Sequence, residues 1–190
     1  MNDTGEHDDT APAPGDLEML QRFLNLHTHD ADDRSIPLPT EMLRAFLVGR
    51  GLITEKERFT EADRETALRL AQAFRALIRT NEDEPLGEDE VRVIDDASER
   101  AGLHPHFAYG DPVLVPARGG TAGAFGELVA IAFLARFDGT WEHLKECAND
   151  DCRATFFDRS KNHSGKWCSM ESCGNRAKVR AWRERQRAVR

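Results

Sequence analysis

The stretch CANDDCRATFFDRSKNHSGKWCSMESCGNR, residues 147–176, holds all four cysteines of a 190-residue chain. They form two pairs of equal spacing, Cys147 with Cys152 and Cys168 with Cys173, and fifteen residues separate the pairs. Two short chelate loops and a longer spacer suit a tetrahedral site of four thiolates around one zinc ion. Each short loop lets two sulfurs grip the ion without long chain closure, and the spacer brings the second pair to the opposite side. Zn2+ accepts four thiolates without geometric strain and has no redox chemistry of its own. Four thiolates leave no open coordination position, so the expected zinc is structural. Three readings compete with it: four unrelated buried cysteines, two disulfides, or three cysteines with His163 as fourth ligand. A redox C-x-x-C motif is excluded, because both loops are too long.

The surrounding sequence also argues for a metal. Residues 141–190 offer few large apolar side chains, chiefly Trp141, Phe156, Phe157, Trp167, Val179 and Trp182. Units below about 40 residues usually need a metal or disulfides to fold alone. A structural zinc supplies roughly 10–16 kcal/mol of apparent binding energy.

Beyond Cys173 the chain has seven Lys and Arg against one Glu. On a helix, Arg176, Arg180, Arg183, Arg187 and Arg190 line up as one stripe, and Val179, Trp182, Gln186 and Val189 form a neighbouring stripe. The expectation is an amphipathic helix whose apolar edge packs on the zinc module and whose basic face looks outward. Guanidinium forks suit phosphate backbones, and counterion release adds favourable free energy. Five such contacts predict a slope of about −4.5 for log K against log salt. Lys178 adds to the charge of the helix, and Arg153, Arg159, Lys161 and Lys166 extend it into the metal loop. The competing reading is a solvated basic helix, or one that docks on the acidic part of its own chain.

The whole chain is acidic, with 26 Lys+Arg against 34 Asp+Glu and a net charge of −8. Residues 141–190 hold 12 basic and 7 acidic side chains, a net of +5, and residues 1–140 hold 14 and 27, a net of −13. Such asymmetry implies two parts with different partners. The first residues, MNDTGEHDDTAPAPGD, lack the basic start and apolar run of a secretory leader. No stretch reads as long and apolar enough to span a bilayer. The expected setting is therefore the cytoplasm, where thiols stay reduced and clustered cysteines bind metal more often than they pair.

Residues 1–15 have almost no large apolar side chain, so they are expected to be disordered. Residues 16–140 then show a series of helical patterns. DLEMLQRFLNLH places Leu17, Leu20 and Leu24 on one face, with Asp16 as a cap. PTEMLRAFLVGRGL has Thr40 as a candidate N-cap and Gly49 or Gly51 as a stop. TEADRETALRLAQAFRALIRT is the strongest helix, capped by Thr60 with Asp63 three residues on. GEDEVRVIDDASERAGL predicts a shorter helix through Val91, Ile94 and Ala97. HFAYGDPVLVPARGG changes period and predicts a hairpin, with Pro112 and Pro116 holding its second strand to an edge. TAGAFGELVAIAFLARF is apolar nearly all round and reads as the central buried helix. The fold class expected is mainly α with one small β-hairpin: an α-helical domain over 16–140, then a treble-clef-like four-cysteine zinc module over 141–190 that ends in a basic helix.

The segment CxxxxC…FFDRSKN…WCSMESCGNRAKVRAWRERQR resembles the CGNR zinc-finger family, named for the stretch that here is Cys173-Gly174-Asn175-Arg176. The resemblance covers about residues 141–187. It implies that Cys147, Cys152, Cys168 and Cys173 hold zinc and that the module binds DNA. Relatives tend to carry a run of arginines before the Trp-Cys, where this chain has NHSGKWCS. That departure shifts the expected DNA contacts toward the terminal helix. The preceding part resembles the ABATE domain of proposed stress-induced transcription regulators, through FLNLHTHD, the hairpin HFAYGDPVLVP and the apolar helix after it.

Other candidate groups are weaker. His27, His29 and Asp30 in LHTHD, read at a helix end, lack the strand series that a catalytic H-x-H site needs. His104 and His106 flank Pro105 at an expected turn. Glu127 sits in the apolar helix, where a paired carboxylate is the plainer reading. RGGTAG, residues 118–123, precedes a helix and could bind an anion there. The function expected is a zinc-dependent, DNA-binding transcriptional regulator, not an enzyme, with the first domain sensing a small ligand or mediating assembly such as a homodimer. The alternative is an RNA-binding or protein-interaction module, in which Trp167 and Trp182 could stack on bases.

Overall fold

The computed structural model describes residues 10–29, 35–37, 39–108 and 111–188. Helix α1 (Leu17–Leu24) buries Leu17, Leu20, Phe23 and Leu24, the face predicted by their spacing. A short antiparallel pair follows, β1 (His27–His29) with β2 (Ser35–Pro37). His27 and His29 are thus in a strand and not at a helix end, while Asp30 lies outside the described residues. Helix α2 (Thr40–Gly49) has Pro39 in the capping position. Thr40 is its first helical residue, and its hydroxyl donates to Glu61.

Helix α3 (Glu61–Arg79) carries the predicted capping box. The Asp63 amide donates to Thr60 Oγ1 at 3.2 Å, and Asp63 Oδ2 accepts from the Thr60 amide at 2.7 Å. Two backbone donors that would otherwise be orphaned are satisfied together. Helix α4 (Glu88–Ala101) stops at Gly102, whose φ of +64° is favourable for glycine. The hairpin β3 (Leu103–Ala108) with β4 (Asp111–Pro116) pairs Phe107 with Pro112 and Leu103 with Pro116. Its turn residue Gly110 lies outside the described residues. His104 and His106 are exposed on β3, in a strand where a turn was expected.

Helix α5 (Gly120–Asp138) is the central element and packs on α1, α3, α4 and β4. By length and composition alone it could cross a membrane, which corrects the sequence reading that no stretch is long enough. Its apolarity has an internal cause: Phe125, Leu128, Val129 and Ile131 are buried in the core. Gly126 allows the closest approach, since a β-carbon there would lie 2.2 Å from that of Ala101.

The core runs on past residue 140. Trp141 and Leu144 are wholly buried and belong to the same apolar cluster as Leu20, Leu70, Phe74 and Leu128, and Phe157 packs against it. A 3-10 turn (Thr140–His143) leads into a third short pair, β5 (Leu144–Glu146) with β6 (Thr155–Phe157). The expected hairpin is therefore joined by two three-residue pairs. Residues 10–15 also have a defined path where disorder was expected. Ala13 is buried, its amide donates to Gln21 Oε1 at 2.7 Å, and Gln21 Nε2 donates to the Ala11 carbonyl at 3.2 Å.

Candidate metal centre

The β5–β6 pair builds the first half of the site. Its ladder extends by one rung, from the Cys147 amide to the Ala154 carbonyl at 2.8 Å. Between them the chain turns tightly. The Cys152 and Arg153 amides both donate to the Asn149 carbonyl, and Arg153 takes a φ of +49°. This knuckle turns Cys147 and Cys152 toward one point. The second half comes from a π-turn (Met170–Gly174) that runs directly into helix α6 (Asn175–Ala188). A bond from the Ala148 amide to the Lys166 carbonyl, 2.8 Å long, holds the approaching strand of chain against the knuckle. Knuckle, hairpin and following helix make the treble-clef-like arrangement.

The four Sγ atoms lie within 4.8 Å of one another. Cys152 and Cys168 sulfurs are 3.6 Å apart, and those of Cys168 and Cys173 are 3.7 Å apart. A tetrahedron with Zn–S bonds of about 2.3 Å has edges of about 3.8 Å, whereas a disulfide needs about 2.05 Å. All four are free cysteines, so the disulfide reading falls. Cys147, Cys152 and Cys173 are buried and Cys168 is half-buried, with Trp167 packed against the group. His163 is not in the cluster; its exposed ring lies against His143, with centroids 4.0 Å apart.

Without a cation, these sulfurs cannot all ionise. Hydrogen bonds from Cys152 and then Cys168 hold the Cys147 thiol down to about 2. Donating to Cys147 pushes the Cys152 thiol up to about 12, and Cys168 is pushed up for the same reason. Four thiolates in this space need a divalent ion to balance them. Asn149, which the sequence reading missed, is buried and donates Nδ2 to Cys173 Sγ at 3.5 Å. Such outer contacts orient and neutralise ligating sulfurs. Its only sequence signal is its place inside the first C-x4-C loop.

The spacer is organised by Asp158, which is 4% exposed. Burial raises its carboxyl, but donors from the Ser160 amide, the Gly165 amide and Lys145 outweigh this and bring it down to about 2. Gly165 is where the spacer passes close to that carboxylate. A β-carbon there would sit 2.8 Å from the Asp158 carboxylate. In the CGNR stretch, Gly174 passes close to Trp167 and Met170, and Asn175 Nδ2 donates to the Glu171 carbonyl at 2.9 Å.

The cluster is seated on the helical body. Glu146, one residue before the first cysteine, accepts from Arg75 at 2.7 Å and from Arg79 at 3.2 Å. Arg75 also donates to the Arg153 carbonyl. Asn25 pairs with the backbone of Thr155 in both directions, at 2.7 and 2.8 Å. Asn81 donates to the carbonyls of Trp141 and Leu144.

The candidate nucleic-acid contacts divide into three groups. Lys161 and Lys166 are exposed in the spacer. Arg159 is exposed but already engaged, donating to the Pro12 carbonyl at 2.7 Å and lying over the Phe157 ring. Arg176, Lys178, Arg180, Arg183 and Arg187 are exposed on α6, and Arg180 pairs with Asp151 at 3.1 Å. Arg190 lies outside the described residues. The expected packing of the apolar stripe is overturned: Val179 is 47% and Trp182 57% exposed. After Ala177 and Ala181 turn inward, the helix presents both stripes to solvent.

Among the described residues, the other candidates gather into no site. Glu127 is half-buried, and burial and then the Asp16 charge push its carboxyl up. The anion position before α5 is filled by the protein's own carboxylates. Glu57 is held low first by the Thr54 amide and also by Gly120, and Asp63 accepts from Thr121 Oγ1 at 2.8 Å.

With the geometry in hand, the family relations are specific. A family model described as "Putative stress-induced transcription regulator", ABATE, matches residues 21–137, more than half of the chain. The chain belongs to the ABATE family. A second family model, the CGNR zinc finger, matches residues 143–186 and spans the whole cysteine cluster. Neither model describes an enzyme. No curated protein sequence matches the chain. The ABATE protein thus carries a CGNR finger with a structural zinc, consistent with the sulfur geometry.

Proposed function

We propose that this ABATE protein is a cytoplasmic, zinc-dependent, DNA-binding transcription regulator. Cys147, Cys152, Cys168 and Cys173 are its four zinc ligands, and α6 is its DNA-contacting helix. Residues 16–140 form the regulatory domain and 141–190 the DNA-binding one. The observation that carries the reading is α6 itself, which leaves the cysteine cluster with six Lys and Arg against one Glu and with Arg176, Lys178, Arg180, Arg183 and Arg187 all exposed. The zinc fixes the start of that helix, so guanidiniums that would otherwise sample many directions share one. Arg176, Arg180, Arg183 and Arg187 predict a slope of about −3.6 for log K against log salt. A gel-shift salt series on duplex DNA tests this. Replacing Arg183 and Arg187 by Gln is expected to weaken binding and flatten the slope by about 1.8. Unchanged affinity in that variant rejects the reading.

One observation favours a second reading. Trp182 is 57% exposed beside the arginine stripe, and base stacking on an aromatic contributes about 1–3 kcal/mol per base in single-strand binders. If single-stranded RNA outcompetes duplex DNA, and Trp182→Ala removes that advantage, the module is an RNA binder.

A further inference from the structure

Helices α3 and α4 and the first turn of α5 enclose an open cleft of about 110 Å3. Its floor is apolar and buried: Leu70 from α3, Ala97 from α4 and Phe125 from α5. Its rim carries both signs of charge. Arg69 stands on α3, and Asp96 and Arg100 stand one turn apart on α4. Opposite charges four residues apart on one helix ordinarily pair, as Glu18 and Arg22 do at 2.8 Å on α1. Asp96 and Arg100 make no ion pair among the described residues, with each other or with Arg69. The third carboxylate of the lining, Asp63, is already committed to Thr60 and Thr121. The cleft therefore offers two guanidiniums, one uncommitted carboxylate and an apolar floor.

From this we propose that the cleft binds a small apolar zwitterion, of which an α-amino acid is the simplest. The ligand's carboxylate meets Arg69 and Arg100, its ammonium meets Asp96, and its side chain covers Leu70, Ala97 and Phe125. A simple anion satisfies the arginines but sets a like charge against Asp96; a simple cation does the reverse. Only a molecule with both charges and an apolar arm answers every group in the lining. The position also gives ligand binding a route to the finger, since α3 supplies Arg69 to the cleft and Arg75 and Arg79 to Glu146, the nearer of them about 9 Å farther along the same helix. This assignment rests on the reading of the first domain as a sensor, but it is tested without DNA.

The test is titration calorimetry on the full-length, zinc-loaded protein with L-leucine, L-phenylalanine, 4-methylpentanoate and 3-methylbutylamine as probes. Saturable binding of at least one amino acid, with both single-charge analogues weaker by about tenfold or more, is expected. Arg100→Gln and Asp96→Asn should each weaken the amino acid by a similar factor. Both sites are exposed, and unchanged zinc content and melting temperature would show that the variants fold. Ala122→Leu, which fills the cleft mouth from α5, should abolish binding. The proposal is overturned if neither amino acid binds, if 4-methylpentanoate binds as tightly as L-leucine, or if Arg100→Gln binds like the parent. A failure of DNA binding leaves each of these results intact, so the two readings fall separately.

Discussion

Thr155 sits where the zinc module meets the helical body, and its backbone is fully engaged by Asn25. Its hydroxyl is buried and has no hydrogen-bond partner among the described residues. A buried hydroxyl without a partner costs about 1–3 kcal/mol relative to a satisfied one. Thr155→Val keeps the shape and the β-branch and removes the orphan oxygen. We expect it to raise stability by about 1 kcal/mol, read as a shift of the urea midpoint at unchanged m-value. Little of this was legible in the sequence, because Thr155 looks like any strand residue there. The cysteines were legible because metal chelation demands a short loop, a spacer and another short loop. Asn149 was not, since a second contact to sulfur imposes no spacing of its own.

Individual elements followed the sequence where one periodicity dominated. The α3 capping box and the apolar run of α5 each need only local residues to be recognised. Pairs of three residues, such as β5 with β6, are too short to show alternation, and distant partners set their register. Thr40 was misread as a cap because its hydroxyl is captured by Glu61 of another helix. The outward face of α6 was misread for a related reason: a stripe of Val and Trp looks like a packing edge until the structure leaves Val179 and Trp182 about half exposed. At this scale Gly126 and Gly49 make a controlled comparison. At Gly126 a new β-carbon would meet that of Ala101 at 2.2 Å, while at Gly49 it would meet nothing within 4 Å. Alanine in a helix gains about 1 kcal/mol over glycine, and overpacking costs about 1–3 kcal/mol. Gly49→Ala should therefore be neutral or slightly stabilising. Gly126→Ala should lower stability by about 2 kcal/mol, because two β-carbons have no rotamer to yield. Thermal melts of the two variants decide it.

Across the whole molecule, the cysteine cluster and the helical body share a seam of apolar and charged contacts. Trp141, Leu144 and Phe157 lie in or against the body's core, while the sulfurs and Ala154 form a separate small cluster. Removing zinc with a chelator should therefore loosen residues 147–174 and leave β5 seated. Hydrogen exchange checks this: protection is lost over the knuckle and spacer and retained in α3 and α5. Loss of protection throughout would mean that the ion supports the entire fold. The sequence could not reveal the seam, because Glu146 and Arg75 are charged residues 71 positions apart and nothing local ties them together.

Glu146, clamped by two arginines, also marks the joint that governs how the molecule moves as a charged object. Among the described residues, the acidic helical body and the cationic finger are held together at that joint, so their opposite charges lie along one fixed axis. Near any polyanion the protein would rotate as one body, cationic end leading, before the surfaces touch. Because Asn25, Asn81 and the buried Trp141 and Leu144 hold the same seam, Glu146→Ala alone should leave that axis standing, and the capture rate at low ionic strength should change little.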